Sequence, residues 1–393
     1  MSISAPRGHR FPIVIGVFTI ASLIALAGCS TSSSDPSADE IRIGLEAPLS
    51  GDQESVGIGM LNGAKLAADE LNANGGINGK QVVIVEIDDA ADPETGVKAA
   101  ETAIADGLDA VVGPYNSGVG VETLPLYIDA GIVPLRLTSA NSTEGLGFTL
   151  QPMTSQIAPA ATTAITDWAQ ASKVAIIFDS TEAYTLDANT AMLATLAAAG
   201  VTVTIDLAIE PGASSYDDAV AEVMSTSPDL VYVITYYPEG GLIAKAMFDT
   251  NAAAKCLADY GAYDNGFLDA AGIPAAKNCP VVGVPAPSDF PNSTEPFTAF
   301  TEAFGVADAS WAPYSYDSVK VLAAAATAAG GFEVEELTAA LNDLTEFSGW
   351  TGRVSFEAAT GNRTPAPVVV VRATDAGHFT VDSTWVAATG FEF

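Results

Sequence analysis

The sequence predicts an α/β protein built from two doubly wound lobes. Strand-like and helix-like segments alternate from residue 41 to residue 235, which is the pattern of sheets covered by helices. The strand-like segments are near-continuous apolar runs, as expected of parallel strands buried on both faces. The alternation runs in two series, and the 393 residues, 49% of them hydrophobic, are enough for two lobes of ordinary size.

The first series predicts the first lobe. Its expected strands are residues 41–47, 81–89, 109–113 and 131–137, and its expected helices are residues 59–72, 93–105 and a segment that ends at Tyr127. Pro93 suits the first position of a helix, because the N–H group that proline lacks has no partner there in any case.

The second series predicts the second lobe. Its expected strands are residues 173–179, 201–209 and 229–235, with helices near 158–171, up to Ala199 and near 216–226. Three further helices, at 298–304, 316–329 and 335–344, precede strands at 349–357 and 366–374. We therefore expect crossings between lobes near 151–153, 285–287 and 347–349. Lobe 1 would comprise 41–152 plus 286–348, and lobe 2 would comprise 153–285 plus 349–393.

The first 40 residues predict export. Arg7, His9 and Arg10 precede an apolar run over residues 11–27, which is typical of a signal peptide, although a transmembrane helix would also fit its length. The run ends in Leu-Ala-Gly-Cys, which resembles the lipobox of bacterial lipoproteins. We therefore expect residues 1–28 to be a lipoprotein signal peptide, Cys29 to carry lipid, and residues 29–40 to form a flexible tether.

The net charge excludes one class of binding partner, and the cysteine content suggests a disulfide. Without Arg7 and Arg10 the chain has 13 basic and 48 acidic residues, so nucleic acid is excluded as a partner. Cys256 and Cys279 remain as an even pair in an oxidising compartment. We favour a disulfide, worth roughly 3 kcal/mol through loop closure, over two buried free thiols.

The sequence offers no catalytic constellation. His378 is the one histidine after the predicted signal peptide, and it has no serine and acid around it that would suggest a triad. Ser117 lacks the flanking glycines of a nucleophile elbow. There is no phosphate-binding GxxxxGK[ST] motif, and Asn62 stands where a dinucleotide fingerprint begun by Gly57 and Gly59 needs glycine. We predict no enzyme activity and no cofactor.

The acidic run DDAAD also has two interpretations. Asp88, Asp89 and Asp92 could coordinate calcium, but the glycine and the distal glutamate of a calcium loop are missing. The acids are better explained as strand-end residues that cap the helix beginning at Pro93. We therefore predict no metal site, and an exported two-lobed chain without catalytic groups indicates a binding protein.

Two strand ends in the first lobe predict a ligand site. The stretch VVGPYNSGVG takes an apolar strand into small polar residues and then a helix, and residues 138–141 follow the next strand. Unpaired N–H groups at a helix N-terminus favour anions, and ligands of doubly wound sheets lie beyond the carboxyl ends of the strands. Ser117 and the adjacent N–H groups are thus candidates to hold a carboxylate.

Five segments in order resemble the type I periplasmic solute-binding proteins of ABC importers. They are APLSGDQESVGIGMLNGAKLAADELNANGGINGK, VVIVEIDDAADP, GPYNS, GIVPLRLTSANST and YVITYYPEGG, and the likeness covers nearly all of the chain after residue 40. The nearest group is the branched-chain amino-acid (Leu/Ile/Val) binding proteins. The resemblance implies two lobes joined by three crossings that close on a small ligand, and ABC permease and ATPase subunits as partners. It implies a monomer, which the lipobox would anchor on the outer face of the cytoplasmic membrane.

The resemblance also implies the ligand-binding residues. The family places a serine at Ser117 for the ligand carboxylate and an acid from the second lobe for the ammonium. The candidate acid is Asp259, placed to within one or two residues because the family pattern puts the acid directly before glycine. The other expected ligand contacts are Tyr115, Ser139, Ala140, Asn141, Tyr184, Tyr236 and Trp311.

Three departures from the family pattern leave the ligand open. The cysteines of the group's first-lobe disulfide are Ala91 and Asn116 here, Val56 replaces an aromatic residue over the ligand, and Asn141 replaces a threonine. An aliphatic amino acid is the first expectation. A short amide, urea or an aromatic carboxylate is the alternative, and a ligand-sensing receptor component is a further one.

Overall fold

The computed structural model describes residues 40–305 and 310–391. The predicted signal peptide, the lipidation site Cys29 and the predicted tether up to residue 39 lie outside the described residues. Within the described ranges, no helix combines the length and the apolar character needed to cross a membrane. Glu40, the last residue of the predicted tether, is already the first residue of a strand.

Lobe 1 has a four-stranded parallel sheet with the order β2-β1-β3-β4. Its strands are β1 Glu40–Ala47, β2 Gln81–Asp88, β3 Ala110–Val112 and β4 Val133–Leu135. The helices between these strands are α1 Glu54–Ala73, α2 Pro93–Ala105 and α3 Ser117–Asp129.

Lobe 2 has a seven-stranded sheet with the order β13-β12-β9-β8-β7-β5-β6. Its strands are β5 Lys173–Asp179, β6 Thr202–Ile209, β7 Leu230–Ile234, β8 Lys255–Ala258, β9 Val281–Gly283, β12 Val369–Ala373 and β13 Phe379–Val381. Its helices are α4 Thr154–Thr163, α5 Ala183–Ala198, α6 Asp217–Ser225, α7 Tyr237–Asp249, α8 Asn265–Ala271, α9 Ile273–Ala276 and α13 Ser383–Thr389.

The central strands of both lobes are buried as the sequence pattern predicted, whereas the edge strands β2 and β6 are partly exposed. All five residues of β7 are buried, as are all three residues of β3, so helices cover both faces of each sheet. The two-lobed α/β fold is thereby confirmed. Lobe 2 differs in one respect, because β12 and β13 extend its parallel sheet with antiparallel pairs at one edge.

The later part of the chain returns to lobe 1 before it ends in lobe 2. The returning helices are α10 Thr294–Phe304, α11 Ala312–Ala329 and α12 Val334–Asn342. Helix α1 packs against α10 and α11, which attaches this segment to the first sheet. The division into lobes that we predict from the sequence stays a proposal, and these contacts agree with it.

The third connection between the lobes is longer than predicted. Residues 349–357, expected as one strand, instead belong to a hairpin of β10 Phe347–Gly349 and β11 Gly352–Val354. The turn forms because Asp317 accepts the backbone N–H groups of Trp350 and Thr351, at 2.8 and 2.7 Å. Gly352 then takes a left-handed conformation with φ of +86°.

The first and third connections lie side by side. Thr149 exchanges backbone hydrogen bonds with the third connection: its N–H donates to Gly361 O at 2.9 Å, and its carbonyl accepts from Arg363 N–H at 3.0 Å. Cys256 and Cys279 form the predicted disulfide, which joins the start of β8 to the residues before β9. The helices α8 and α9 between these cysteines were not predicted.

Candidate functional site

Two strand ends of lobe 1 meet at Ser117, as predicted. Gly113 follows β3 with φ of +107°, and a Cβ atom there would lie 2.0 Å from Glu46 O, so only glycine fits. This turn brings Ser117 to the first position of α3, beside the loop after β4. The Ser117 hydroxyl oxygen accepts the backbone N–H groups of Ser139 and Ala140, at 3.4 and 3.2 Å.

Gln151 is a site residue that the sequence reasoning missed. It is fully buried at the first connection, and its Oε1 accepts hydrogen bonds from Tyr260 Oη at 3.2 Å and Ser139 Oγ at 3.4 Å. Its Nε2 has no hydrogen-bond partner among the described residues. Sequence reasoning treated residues 151–153 only as a crossing, although a polar residue in an apolar crossing was an available signal.

Lobe 2 contributes a wall of tyrosines. Tyr184 lies at the start of α5, Tyr236 immediately precedes α7, and Tyr260 opens a short 3-10 turn after β8. The Tyr184 ring centroid lies 6.0 Å from that of Tyr236 and 6.3 Å from that of Tyr260. Tyr115 of lobe 1 completes the wall, 6.2 Å from Tyr236.

Asp259 lies behind this wall and does not line the cavity. It is fully buried, and its carboxylate accepts hydrogen bonds from Tyr184 Oη at 2.6 Å and from Tyr232 Oη. Burial raises the pKa of Asp259, and these hydrogen bonds, with those from the backbone N–H groups of Tyr260 and Gly261, act in the opposite direction. The residue directly before the glycine, where the family pattern has its acid, is Tyr260.

The cavity between the lobes is small and uncharged. Its volume is about 10 Å³, which is room for about one water molecule. None of the lining side chains is charged; the lining residues are Tyr115, Ser117, Leu137, Ser139, Gln151, Tyr184, Tyr236, Tyr260 and Gly261. An amino acid therefore enters this site only when the lobes separate or the lining side chains move.

Besides Asp259, three other predicted ligand contacts lie outside the cavity lining. Ala140 is buried and contributes its N–H group to Ser117. Asn141 is exposed, and its side-chain oxygen accepts Ser155 N–H at 3.2 Å. Trp311 forms a layer behind the tyrosines, with its ring centroid 5.1 Å from that of Tyr260. Contact of these residues with a ligand stays a prediction.

The lobes also touch at two points on the rim of the cleft. The Tyr237 hydroxyl of lobe 2 donates to Asp52 O in lobe 1 at 2.9 Å and lies 3.3 Å from Ser55 Oγ. On the other side, Asn141 N–H of lobe 1 donates to Asp187 Oδ2 at 2.8 Å. These hydrogen bonds hold the closed arrangement without any charged pair.

A pair of buried acids lies in lobe 1, outside the cavity lining. Glu46 is the penultimate residue of β1 and Asp89 follows β2, and both side chains are fully buried. Burial raises the pKa of Asp89 to about 7, and burial together with Asp89 raises the pKa of Glu46 well above its usual range. The only acid of the run that caps α2 is Asp92, which accepts Thr95 N–H at 2.8 Å.

The described residues hold no group of three acidic, histidine or cysteine side chains able to bind a metal ion. Asp88 and Asp89 instead accept the backbone N–H groups of Ala90 and Ala91, at 3.0 and 2.8 Å. The predicted capping of α2 is confirmed for Asp92, which accepts Thr95 N–H, and not for Asp88 or Asp89.

Comparison with known proteins gives consistent matches over most of the chain. The family model described as periplasmic binding protein matches residues 40–378. The Leu/Ile/Val-binding protein BraC3 of Rhizobium johnstonii is 31% identical over 344 residues, which are 86% of this chain and 93% of that protein. Leu/Ile/Val-binding protein homolog 2 of Brucella abortus is 29% identical over 362 residues, covering 89% of this chain and 93% of that protein.

Solved structures show the same fold at lower identity. The leucine-binding protein LivK of Thermotoga maritima superposes with a TM-score of 0.80 at 20% identity, covering 87% of this chain and 98% of that one. A solute-binding protein of an ABC transporter from R. palustris, in complex with 4-hydroxybenzoate, superposes with a TM-score of 0.79 at 18% identity, covering 88% and 96%.

Proposed function

We propose a function from one premise, that the chain belongs to the periplasmic binding protein family. The protein captures a small ligand between its two lobes outside the cytoplasm and delivers it to an ABC permease and its ATPase. The ligand is an aliphatic amino acid, with the branched-chain amino acids first. The observation that carries this proposal is the closed cleft, in which donors from lobe 1 face hydroxyl acceptors and aromatic rings from lobe 2.

The ligand carboxylate would bind at Ser117. A hydroxyl has one donor and two acceptor positions, and Ser117 Oγ already accepts two backbone N–H groups. Its hydrogen is therefore left to donate to the ligand. The N–H groups in the first turn of α3 have no partners within the helix, and Asn116 gives them no side-chain cap. This end of α3 also carries partial positive charge, which favours a carboxylate.

The ligand ammonium would bind at Tyr184. The hydroxyl hydrogen of Tyr184 is directed at Asp259, so the lone pairs of its oxygen are the part left for the ligand. Burial and the neighbouring Asp259 raise the pKa of the Tyr184 hydroxyl, which keeps it a neutral donor to that acid. The acid would thus act on the ammonium through a tyrosine rather than by direct contact.

The aliphatic side chain would lie among aromatic rings. Tyr115, Tyr236 and Tyr260 line the cavity, and Trp311 supports them from behind. Aromatic faces bury large apolar area and also attract a nearby cation. The same rings would suit an amino acid with a branched chain better than one with a polar chain.

Binding and closure are linked. The ligand favours the closed form by as much as its contacts with both lobes exceed its contacts with one. Ser117 and Ser139 belong to lobe 1, whereas Tyr184 and Tyr236 belong to lobe 2, so a bound amino acid would complete contacts that only closure supplies. Hinge closure of this kind is an established class of protein motion.

A carboxylate without an ammonium group is the second candidate ligand. It is favoured by the uncharged lining, since an ammonium there would meet hydroxyl oxygens and rings only. A hydroxyl group on an aromatic acid would use the Tyr184 acceptor equally well. This candidate keeps the transport function and changes only the solute.

We also propose that the chain is exported, cut before Cys29 and lipidated there, and that it acts as a monomer. The lipobox-like sequence supports this proposal. Mass spectrometry of the N-terminal peptide from membrane fractions would show a diacylated Cys29, and an unmodified Met1 terminus would contradict it.

A thermal-shift screen tests the function. The purified protein is tested with the twenty amino acids, simple amides, urea and aromatic acids. A ligand at 100 times its dissociation constant should stabilise the protein by about 2.7 kcal/mol. A shift with leucine, isoleucine or valine is expected. Shifts confined to plain carboxylates would favour the second candidate, and no shift with any compound would contradict both.

A further inference from the structure

We propose that Gln151 binds the ligand carboxylate together with Ser117, and so selects ligands that end in a hydrogen-bond acceptor. This inference rests on the proposed function, since it assigns a residue to the same cavity. It goes beyond the family resemblance, from which Gln151 was not predicted. Its basis is the hydrogen-bonding state of one buried amide.

The amide oxygen of Gln151 faces two hydroxyls in the structure. Its Oε1 accepts from Tyr260 Oη at 3.2 Å and from Ser139 Oγ at 3.4 Å, which uses both acceptor positions of the oxygen. Its Nε2 carries two hydrogens and has no hydrogen-bond partner among the described residues, although the side chain is fully buried. Buried amides are nearly always hydrogen-bonded, so an unpartnered one requires an explanation.

Gln151 and Ser117 lie on either side of Ser139. The backbone N–H of Ser139 donates to Ser117 Oγ at 3.4 Å, and its hydroxyl donates to Gln151 Oε1 at 3.4 Å. All three residues line the same cavity. The free donor of Gln151 and the free donor of Ser117 are therefore close enough to serve one small group.

A carboxylate is the group that matches these donors. It has two oxygens with about four acceptor positions, so one oxygen can take the Ser117 hydroxyl and the other the Gln151 amide. Hydrogen bonds to an ionised acceptor are stronger than neutral ones, and no charged side chain in the lining competes for them. An ammonium in the same place would meet N–H and O–H donors only. The ligand is thus oriented with its carboxylate toward Gln151 and its second polar group toward Tyr184.

Calorimetric titration of Gln151→Glu tests this assignment. Glutamate keeps an oxygen for Tyr260 and Ser139 but replaces the donor with negative charge. The probes are L-leucine, 4-methylpentanoate and 4-hydroxybenzoate, which share a carboxylate, and 3-methylbutylamine, which has none. We expect the wild type to bind at least one carboxylate and Gln151→Glu to bind it about 100-fold or more weakly. Gln81→Glu is the matched control, because Gln81 is exposed at the start of β2, at the opposite end of the strand from the cleft.

The outcomes separate this inference from the proposed function. A carboxylate that binds Gln151→Glu as well as the wild type, or more tightly, overturns the role of Gln151 and leaves the proposed function standing. If the wild type binds none of the three carboxylates, both fail. If Gln151→Glu does not fold, the neutral variant Gln151→Met is used in its place. We expect it to bind the carboxylate about 10- to 100-fold more weakly than the wild type. An unchanged affinity would overturn the inference.

Discussion

At the scale of single residues, Tyr184 and Asp259 act as one unit. The sequence pointed to Asp259 as the partner of a ligand ammonium, and the structure instead directs the Tyr184 hydroxyl hydrogen at that acid. In the proposed site, the oxygen of Tyr184 would then accept a hydrogen bond from the ligand. A buried acid can thus favour a cation without contacting it, because the tyrosine hydroxyl between them is polarised.

Tyr184→Phe is expected to weaken binding of ligands that have an ammonium group and to leave binding of plain carboxylates nearly unchanged. The affinity for L-leucine should fall about 10- to 100-fold, because a hydrogen bond to the ammonium is lost. The affinity for 4-methylpentanoate should change by less than about threefold, because it has no ammonium to lose. Titration calorimetry measures both. Tyr216→Phe is the control, since Tyr216 is equally buried but donates to Glu210 O, away from the cavity; equal losses for both probes would contradict the ammonium role.

The neighbouring residues Asp259 and Tyr260 show how precisely the site could be predicted from the sequence. Ser117, Ser139, Tyr115, Tyr184 and Tyr236 line the cavity. The strand ends of the first lobe indicated Ser117 and Ser139, and the family resemblance implied the three tyrosines. Asp259 and Tyr260 are both buried, but only Tyr260 lines the cavity, so an alignment error of one residue exchanges a residue behind the cavity wall for one in it. That is why Asp259 was named and its neighbour Tyr260, which lines the cavity, was missed.

The buried acids of lobe 1 predict a pH-dependent stability. The pKa of Asp89 is about 7 in the folded protein and near 3.8 when unfolded. Between these values the folded state binds more protons than the unfolded state, so stability falls as pH rises from about 4 to about 7. The pKa of Asp264 is also raised to about 7 by burial, and it acts in the same direction.

Asp89→Asn should therefore flatten the pH profile. Asparagine keeps the acceptor for Ala91 N–H but cannot ionise. We expect the variant to be more stable than the wild type at pH 8 by roughly 4 kcal/mol, and close to it at pH 4. Urea unfolding at the two pH values measures the difference. Exposed Asp69→Asn is the control. If the stability of Asp89→Asn falls from pH 4 to 8 as steeply as that of the wild type and of Asp69→Asn, the assignment is contradicted.

At the scale of elements, the second lobe is organised around β8. Cys256 lies near the start of the strand, and Asp259 and Tyr260 follow its end, so one short element connects the covalent link to the candidate ligand site. The pairing of Cys256 with Cys279 was predictable from the sequence. Helices α8 and α9 between them were not, because their short apolar segments carry no clear helical period.

Replacing Cys256 and Cys279 with serine is expected to lower the stability of the protein and to leave its affinity for the ligand nearly unchanged. Loss of the bridge should lower the free energy of unfolding by roughly 3 kcal/mol, because the unfolded chain gains conformational freedom. The affinity for ligand should stay within about threefold, since the bridge lies at the opposite end of β8 from Tyr260. Calorimetric melting and ligand titration measure the two effects; a large loss of affinity with unchanged stability would contradict this division.

The hairpin of β10 and β11 shows a second limit at this scale. Its residues were expected as part of one continuous strand, and the distant Asp317 accepts the backbone N–H groups of Trp350 and Thr351 where the chain reverses. A contact between residues so far apart in sequence cannot be deduced from local pattern. The same reason explains why the third connection is longer than predicted.

At the scale of the whole molecule, rim contacts set how readily the lobes close. Tyr237 bonds to Asp52 O and lies near Ser55, and Asp187 bonds to Asn141 N–H. Each of these hydrogen bonds is worth about 0.5–1.5 kcal/mol, so each shifts the balance of open and closed forms severalfold. The family resemblance predicted two closing lobes, but the particular hydrogen bonds on the rim could be identified only from the structure.

Tyr237→Phe should favour the open form. Ligand affinity should fall about 2- to 12-fold, because closure loses one hydrogen bond that the ligand itself does not supply. Stopped-flow titration should show the loss mainly as faster dissociation. Tyr316→Phe is the control, because the Tyr316 hydroxyl bonds to Glu70 within lobe 1. A loss of affinity in Tyr316→Phe of the same size would contradict a specific role for the rim.

Titration calorimetry of the wild-type protein with L-leucine at several temperatures tests capture between the lobes most directly. Capture predicts one leucine per chain and a negative heat-capacity change, since closure removes the apolar faces of Tyr115, Tyr236 and Tyr260 from water together with the ligand. Absence of binding by leucine and by every other small carboxylate, or binding without a negative heat-capacity change, would contradict it.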